Sequence, residues 1–214
     1  MTIYRLHTHI GAGVDPAVWK QAAGTSLEIA EQFPAAGVLN LGGGFKVARM
    51  DGESGVDLVQ VGVDIAAELE NFAARTGRML KLELEPGTFL VATAGILLAQ
   101  VEDIVGTGPG GYNFLKLNTG MNDIMRPTLY GAQHLLVVLS DSLEETDYVV
   151  VGHNCESGDL LSPAPGEPET LATRHLSTAS IGDLVLIGGA GAYCASLAAH
   201  GYNSFPSAKE VLVN

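Results

Sequence analysis

No uninterrupted apolar stretch of about 18 residues occurs in the sequence, so it offers no helix able to cross a bilayer. A basic segment leading into an apolar run is also absent from the amino terminus, which leaves no recognisable secretory signal. A soluble, cytoplasmic protein is the expectation. Cysteine is scarce: Cys155 and Cys194 cannot build a disulfide framework, and their spacing is not that of a metal site. Positive charge is scarce as well. Eleven Lys and Arg against 24 Asp and Glu give a formal net charge of −13, and the basic residues are scattered over 214 positions. Such a surface repels phosphate backbones and anionic lipid, so neither nucleic acid nor a membrane is an expected partner. No internal repeat is visible. What is present is a core-forming composition, 47% hydrophobic and 16% charged, on a length that suits one large domain or two small ones. The 27 glycines are nearly twice the usual share of about 7%. They imply many tight turns, or backbone held close to a ligand.

Residues 1–93 alternate between strand and helix signals. A β-rich run at 3–9 breaks at Gly11 and Gly13. Asp15-Pro16 then sets an N-cap residue before a proline at the first helical position, and Val18, Ala22, Ile29 and Phe33 recur on one helical face until Pro34. A short apolar strand at 38–41 runs into Gly42-Gly43-Gly44. The next helix is expected over 57–76, with Val61, Ile65, Leu69 and Phe72 as its stripe and Gly77 as its cap. Residues 79–84 return to strand, with Leu80, Leu82 and Leu84 on one face. This alternation implies parallel pairing in an α/β layer. From residue 94 the pattern changes to short β-rich runs, at 96–105, 112–117, 135–139, 148–151 and 183–187, separated by Gly, Asn, Asp and Pro clusters. The fold class is therefore α/β plus all-β, the second part a sandwich or barrel over 94–214. Within it, 162–169 reads as a surface loop and 193–200 as a helix.

Residues able to do chemistry gather where the first three strands end. His7 and His9 close the first, the glycine trio closes the second, and Glu85-Pro86-Gly87 closes the third. Parallel strands put all three endings on one rim, the rim at which α/β barrels and open sheets bind ligands. Each feature also has an ordinary reading. A glycine trio makes a tight turn, one of two histidines two apart on a strand is a satisfied core residue, and a glutamate before proline is a polar strand end. Their coincidence on one rim favours a single pocket. Open backbone N–H groups suit a phosphate, an imidazole can stack on a planar ring, and a carboxylate can keep a heteroaromatic nitrogen protonated. Pyridoxal phosphate is the cofactor that uses all three.

The ordered motifs His7-Thr8-His9-Ile10-Gly11, Leu39-Asn40-Leu41-Gly42-Gly43-Gly44-Phe45, Glu85-Pro86-Gly87, Arg126-Pro127-Thr128-Leu129-Tyr130, Cys155-Glu156-Ser157-Gly158-Asp159 and Gly191-Ala192-Tyr193 resemble the alanine-racemase-fold, or group IV, pyridoxal phosphate-dependent decarboxylases. Within that group the motifs are most similar to the diaminopimelate decarboxylases. The resemblance implies a partial (β/α)8 barrel over 1–93 followed by a β-sandwich or Greek-key-like domain over 94–214. The activity it implies is decarboxylation of an amino acid, meso-diaminopimelate to lysine, in lysine biosynthesis. It gives ring stacking to His9, the cofactor phosphate to Gly43 and Gly44, and the pyridine nitrogen to Glu85, with Pro86, Gly87 and Thr88 completing that cofactor-binding segment. Tyr193 is implied at cofactor phosphate and substrate, and Arg126 and Tyr130 at substrate. A homodimer with shared active sites is implied too, the loop at 155–159 reaching into the partner subunit's site. There the Cys155 thiol returns a proton to the carbon that lost CO2, and Glu156 binds the distal amine. Without the neighbouring motif Cys155 reads as a small buried hydrophobe.

Three positions depart from the family pattern. Ala12 stands where the family has a serine that donates to the phosphate, and Thr88 where it has an arginine that pairs with the substrate carboxylate. The family's Schiff-base lysine lies on an early barrel strand well before the histidine motif, and none of Lys20, Lys46, Lys81, Lys116 and Lys209 sits in that motif. The chain thus reads as the carboxy-terminal portion of such an enzyme, inactive in isolation. Two rivals stand beside this reading. His7 and His9 form the His-x-His pair of metal hydrolase barrels, which needs further ligands on later strands. A non-catalytic relative would bind a partner through the decarboxylase dimer surface.

Overall fold

The computed structural model describes residues 2–213. They form two compact units. One runs to Ala48 and resumes over Gly52–Leu90; the other comprises Arg49–Asp51 and the chain from Val91 onward.

In the first unit, β1 (Arg5–His7) leads into α1 (Pro16–Glu31), β2 (Val38–Asn40), α2 (Leu58–Thr76) and β3 (Lys81–Glu83). The three strands pair in parallel in the order β1-β2-β3, with His7, Asn40 and Glu83 in register. Both helices start as the sequence dictates. The Asp15 carboxylate accepts from the Ala17 N–H at 3.0 Å, and Asp57 accepts from Val59 and Gln60, both at 3.0 Å. Gly77 ends α2 in the left-handed conformation, at φ 68°. The stripe of α2 is buried as expected, at Val61, Ile65 and Phe72.

The stripe of α1 is shifted by one position. Trp19, Ala23, Leu27 and Ala30 are buried, whereas Val18 and Ile29 are 42% and 45% exposed. Trp19 decides the rotation: it is fully buried and stacks on Phe45 with ring centroids 5.1 Å apart, which removes more apolar area from water than Val18 could. Leu39 and Leu41 join this core, with Leu6, Leu80 and Leu82 packed partly buried against it. Alternation therefore turns Arg5, His7, Asn40 and Glu83 to the other face of the sheet. Leu84, expected beside Leu80 and Leu82, is 41% exposed. After Pro86 the chain forms the short helix α3 (Gly87–Val91).

The second unit contains β4 (Leu97–Gly106), β5 (Asn113–Leu117), the one-turn helix α4 (Arg126–Tyr130), β6 (Leu136–Leu139), β7 (Glu145–Val151), β8 (Pro163–Ala164), β9 (Glu167–Leu171), β10 (Arg174–Ser177) and β11 (Leu184–Ile187). Six strands make one mixed sheet in the order β10-β7-β5-β4-β11-β6, in which only β5 and β7 run parallel. Its two end strands, β10 and β6, pack against each other, and Ser140 Oγ donates to the Thr178 carbonyl at 2.9 Å where they meet. Such a sheet is nearly a barrel. Leu115, Leu117, Val150, Val185 and Ile187 fill its interior.

Two local expectations fail. Residues 162–169 carry the antiparallel pair β8 and β9 instead of a plain loop, turned at Gly166 with φ 77°. Residues 193–200 are not a helix: Tyr193 sits at φ 57°, outside the helical region, and only Ala195–Leu197 makes a single 3-10 turn.

Candidate active site

The rim of the first unit is assembled by three strand ends that touch backbone to backbone. The Thr8 N–H donates to the Asn40 carbonyl at 2.9 Å, Leu41 to Glu83 at 3.1 Å, and Glu85 to Gly42 at 2.8 Å. Only glycine permits this approach. A Cβ on Gly42 would stand 2.6 Å from His9 Nδ1, one on Gly43 would overlap the Glu85 carbonyl oxygen, and one on Gly44 would overlap that of Gly11. The structure thus brings His9, Gly43, Gly44 and Glu85 together, and the Gly43 N–H donates to His9 Nδ1 at 3.3 Å. Glu85 keeps a half-exposed carboxylate. Pro86 is partly buried, and Gly87 and Thr88 form the start of α3.

Asn40 links the glycine loop to the acid. It is buried, its Oδ1 accepts from the Gly42 N–H at 2.7 Å, and its Nδ2 donates to Glu85 Oε1 at 2.9 Å. One neutral side chain fixes both the start of the loop and the aim of the carboxylate. An amide side chain in an otherwise apolar strand, two residues before the loop, was the available signal for this role. Arg5 and His7 approach the same Glu85 oxygen more loosely, at 3.8 and 3.9 Å, while Arg5 pairs closely with Glu83 at 3.0 Å. Lys81 also bonds Glu83, and this bond first, then the Arg5 and Lys81 charges, holds the Glu83 carboxyl below its ordinary range.

The second unit holds the remaining motif residues. Arg126 and Tyr130 lie at the two ends of α4, the guanidinium 5.9 Å from the centre of the Tyr130 ring. Arg126 Nε and Thr128 Oγ1 are buried without a hydrogen-bond partner among the described residues. Polar atoms buried in this way need a partner, and a ligand's anionic group would satisfy them. Gly158 lies over Thr128, so the loop bearing Cys155 and Glu156 runs beside α4. Cys155 is exposed, not a buried filler. Cys194 is buried, and burial pushes its thiol up against the opposing pull of the Arg126 and Arg49 charges. Tyr193 is 58% exposed on its strained backbone.

Asp159 holds that loop in shape. It is buried, its Oδ1 accepts from the Met121 N–H at 2.7 Å, and its Oδ2 accepts from the backbone and side-chain N–H groups of Asn154 at 2.9 and 2.8 Å. Gly120 and Gly152 are pressed so closely on this carboxylate that a Cβ on either would collide with it. Glu156 is exposed and bonded at both oxygens. The Gly158 N–H first, and the Tyr202 and Ser157 hydroxyls after it, hold its carboxyl below the ordinary value.

Among the described residues no three His, Cys, Asp or Glu side chains cluster so as to hold a metal ion. His7 and His9 are engaged with Glu85 and Gly43 respectively, and the later ligands that a His-x-His metal site requires are not supplied. Among the described residues no helix is long and apolar enough to cross a membrane.

The first unit carries a parallel strand rim with a glycine loop and an aimed carboxylate, and the second is a curled β unit carrying a Cys-Glu loop. Residues 14–191 match the family described as pyridoxal-dependent decarboxylase, C-terminal sheet domain, and the chain belongs to that family. Diaminopimelate decarboxylase of Escherichia coli (strain K12) is 36% identical over 97% of this chain and 50% of its own length. A crystal structure of diaminopimelate decarboxylase superposes with a TM-score of 0.85 at 36% identity, over 94% of this chain and 48% of that one. The diaminopimelate decarboxylase of Helicobacter pylori, solved in complex with L-lysine, gives a TM-score of 0.79 at 29% identity, over 94% of this chain and 47% of that one. The chain spans about half the length of the curated relatives it matches.

Proposed function

We propose that this chain forms the carboxy-terminal portion of a pyridoxal phosphate-dependent diaminopimelate decarboxylase, which releases CO2 from meso-diaminopimelate to give lysine. The observation that carries the reading is the Asn40 bridge, which ties a glycine loop that tolerates no Cβ to a carboxylate on the same rim. These residues fit the cofactor. When bound, pyridoxal phosphate supplies an electron sink for the electron pair left behind as the substrate carboxylate departs as CO2.

The chain's own residues do the rest. Gly43 and Gly44 present backbone to the phosphate, with Tyr193 a further phosphate or substrate contact. His9 lies against the ring. Glu85, backed by Pro86, Gly87 and Thr88, keeps the ring nitrogen protonated so that the sink is deep. Arg126 and Tyr130 receive the substrate, and the orphaned Arg126 Nε and Thr128 Oγ1 are where its anionic group finds donors. Cys155 returns a proton to the carbon that lost CO2, and Glu156 pairs with the ammonium at the substrate's far end. In this reading the first unit belongs to a (β/α)8 barrel and the second is the family's sheet domain. The enzyme is a cytoplasmic homodimer in which the loop at 155–159 serves the partner subunit's site.

The test is CO2 release from diaminopimelate by the 214-residue chain with pyridoxal phosphate, alone and co-expressed with the amino-terminal half of the Escherichia coli enzyme. Turnover in the mixture that is lost in Glu85→Ala supports the reading. The chain alone is expected to be inactive, because Lys46 is exposed, Lys81 is engaged with Glu83, and none of the five lysines occupies the family's lysine motif. No turnover in a mixture that folds and binds cofactor would refute it.

A further inference from the structure

The carboxy-terminal segment is fastened over the loop that carries Glu156. Phe205 stacks on His153 with centroids 3.6 Å apart and planes 9° from parallel. Ala199 N–H donates to the Met121 carbonyl at 3.0 Å, and Ala208 N–H to Asp123 Oδ1 at 2.8 Å. The loop is anchored to the same turn from its other side, through Asp159 on Met121 and through Asn122 Oδ1, which meets Asn154 Nδ2 at 3.1 Å and His153 Nε2 at 2.9 Å. Where the two fastened segments meet, Tyr202 Oη donates to Glu156 Oε2 at 3.3 Å. Tyr202 stands on a one-turn 3-10 helix that begins after Gly201 in the left-handed conformation and continues through Asn203 and Ser204 at φ 51° and 64°. Asparagine visits that conformation readily, but serine uncommonly.

We propose that Tyr202 is a positioning residue for Glu156, orienting its carboxylate toward a ligand's distal ammonium group and so favouring amino acids that carry one. This rests on Glu156 being the amine-binding acid. An ionised carboxylate offers about four acceptor positions. Gly158 and Ser157 occupy Oε1 and Tyr202 occupies one position on Oε2, so the open position on Oε2 is left for the ligand. Pre-aiming it removes rotamer freedom that binding would otherwise have to freeze. The hydroxyl also favours the charged form, because a phenol O–H donates more strongly to an ionised carboxylate than to a neutral acid. Burial first, and then the Glu156 charge, raises the Tyr202 phenol above its ordinary value, which keeps it a donor.

The test uses the 214-residue chain co-expressed with the amino-terminal half of the Escherichia coli enzyme and loaded with cofactor, in Tyr202→Phe and Glu156→Gln forms, with L-lysine and L-norleucine as calorimetric probes. Norleucine has the same carbon chain without the terminal ammonium. Glu156→Gln should weaken L-lysine and spare L-norleucine. Tyr202→Phe should weaken L-lysine roughly three- to tenfold, leave L-norleucine within about twofold, and raise KM for diaminopimelate at unchanged kcat. If Glu156→Gln weakens L-lysine and Tyr202→Phe does not, the Tyr202 proposal fails while the amine-binding reading stands. An equal loss of both probes in Tyr202→Phe would reduce the tyrosine to packing and overturns the proposal too. If Glu156→Gln leaves L-lysine untouched, the amine-binding reading itself fails, and Tyr202 with it.

Discussion

Replacing Asn40 separates the two bonds through which it organises the rim. Asn40→Ala leaves the buried Gly42 N–H without its 2.7 Å acceptor, at about 1–3 kcal/mol for an orphaned backbone donor. Glu85 loses its 2.9 Å donor as well, but its side chain is 51% exposed and water replaces the bond, so this part contributes about 0–1 kcal/mol. The expected loss is about 1–4 kcal/mol, independent of salt. Asn40→Asp behaves differently. It retains the acceptor for Gly42 and sets a second carboxylate against Glu85 Oε1. Repulsion between unit charges at 4 Å is about 4 kcal/mol near a protein surface, and exposure of Glu85 reduces this to about 1–2 kcal/mol. Unfolding the 214-residue chain in urea at low and high sodium chloride tests the contrast, with hydrogen exchange at Gly42 as a local probe. Asn40→Ala should accelerate Gly42 exchange at either salt, and Asn40→Asp should regain stability as salt rises. A loss below about 0.5 kcal/mol in Asn40→Ala, or an Asn40→Asp deficit that salt leaves unchanged, would refute this division of labour between the two bonds.

Other perturbations probe the remaining anchors. Asp159→Ala should destabilise the second unit by about 3–5 kcal/mol, since three donors lose one buried carboxylate; fast amide exchange confined to Met121 and Asn154 would confirm the locus, and exchange like wild type would contradict it. Trp19→Ala removes a fully buried indole stacked on Phe45 and should lower unfolding stability by about 3–5 kcal/mol, whereas Val18→Ala on the exposed side should change it by less than about 0.5 kcal/mol. His175 sits between Asp147 and Glu145, both at 2.9 Å, and Asp147 first holds its pKa above the ordinary 6.5. Its stabilising effect is present below that ordinary value and disappears as pH rises through the raised one. The stability gap between wild type and His175→Ala should therefore be open near pH 6 and closed near pH 9, and a gap that widened with pH would overturn the assignment.

Features that rest on short-range chemistry were legible in the sequence. Asp15-Pro16, Asp57 and Gly77 mark helix ends because caps need those residue types in any context, and both helix starts and the end of α2 fall where expected, whereas α1 stops at Glu31, short of Phe33. The gathering of His9, Gly43, Gly44 and Glu85 followed from parallel strands sharing one end. What escaped depends on tertiary partners. The facing of α1 is set by Phe45, which lies 26 positions beyond Trp19, so periodicity alone could not choose between two adjacent stripes. Residues 193–200 carry helix-forming alanines, yet a residue at positive φ at their start overrides that propensity. The pair β8 and β9 is too short and too rich in proline and glutamate to look like strand.

The residues that escaped the motif reading have a physical pattern in common. Each motif acid, Glu85 or Glu156, is exposed, where a ligand can reach it and where water would let it swing. The groups that restrain them are Asn40, and Asp159 with Asn154 and Tyr202, and all but Tyr202 are buried. Buried acceptors seek donors, and the side-chain oxygens of Asn40 and Asp159 take backbone N–H groups of tight turns, Gly42 in one case and Met121 and Asn154 in the other. Glycines at 120 and 152 then exclude the Cβ atoms that would push the Asp159 carboxylate aside, and Gly42 leaves room for His9. Anchoring an acid through a buried amide or carboxylate sets its direction without a close counter-charge, and the Arg5 guanidinium stands off from Glu85 at 3.8 Å. On the function proposed above, a cation at Glu156 and a ring nitrogen at Glu85 both require an acid that is held still and left negative. An arginine or lysine partner would hold it still and cancel the charge. Neutral or backbone-satisfied anchors do the first without the second, which is why reading a site from its charged motif residues finds what acts and misses what aims.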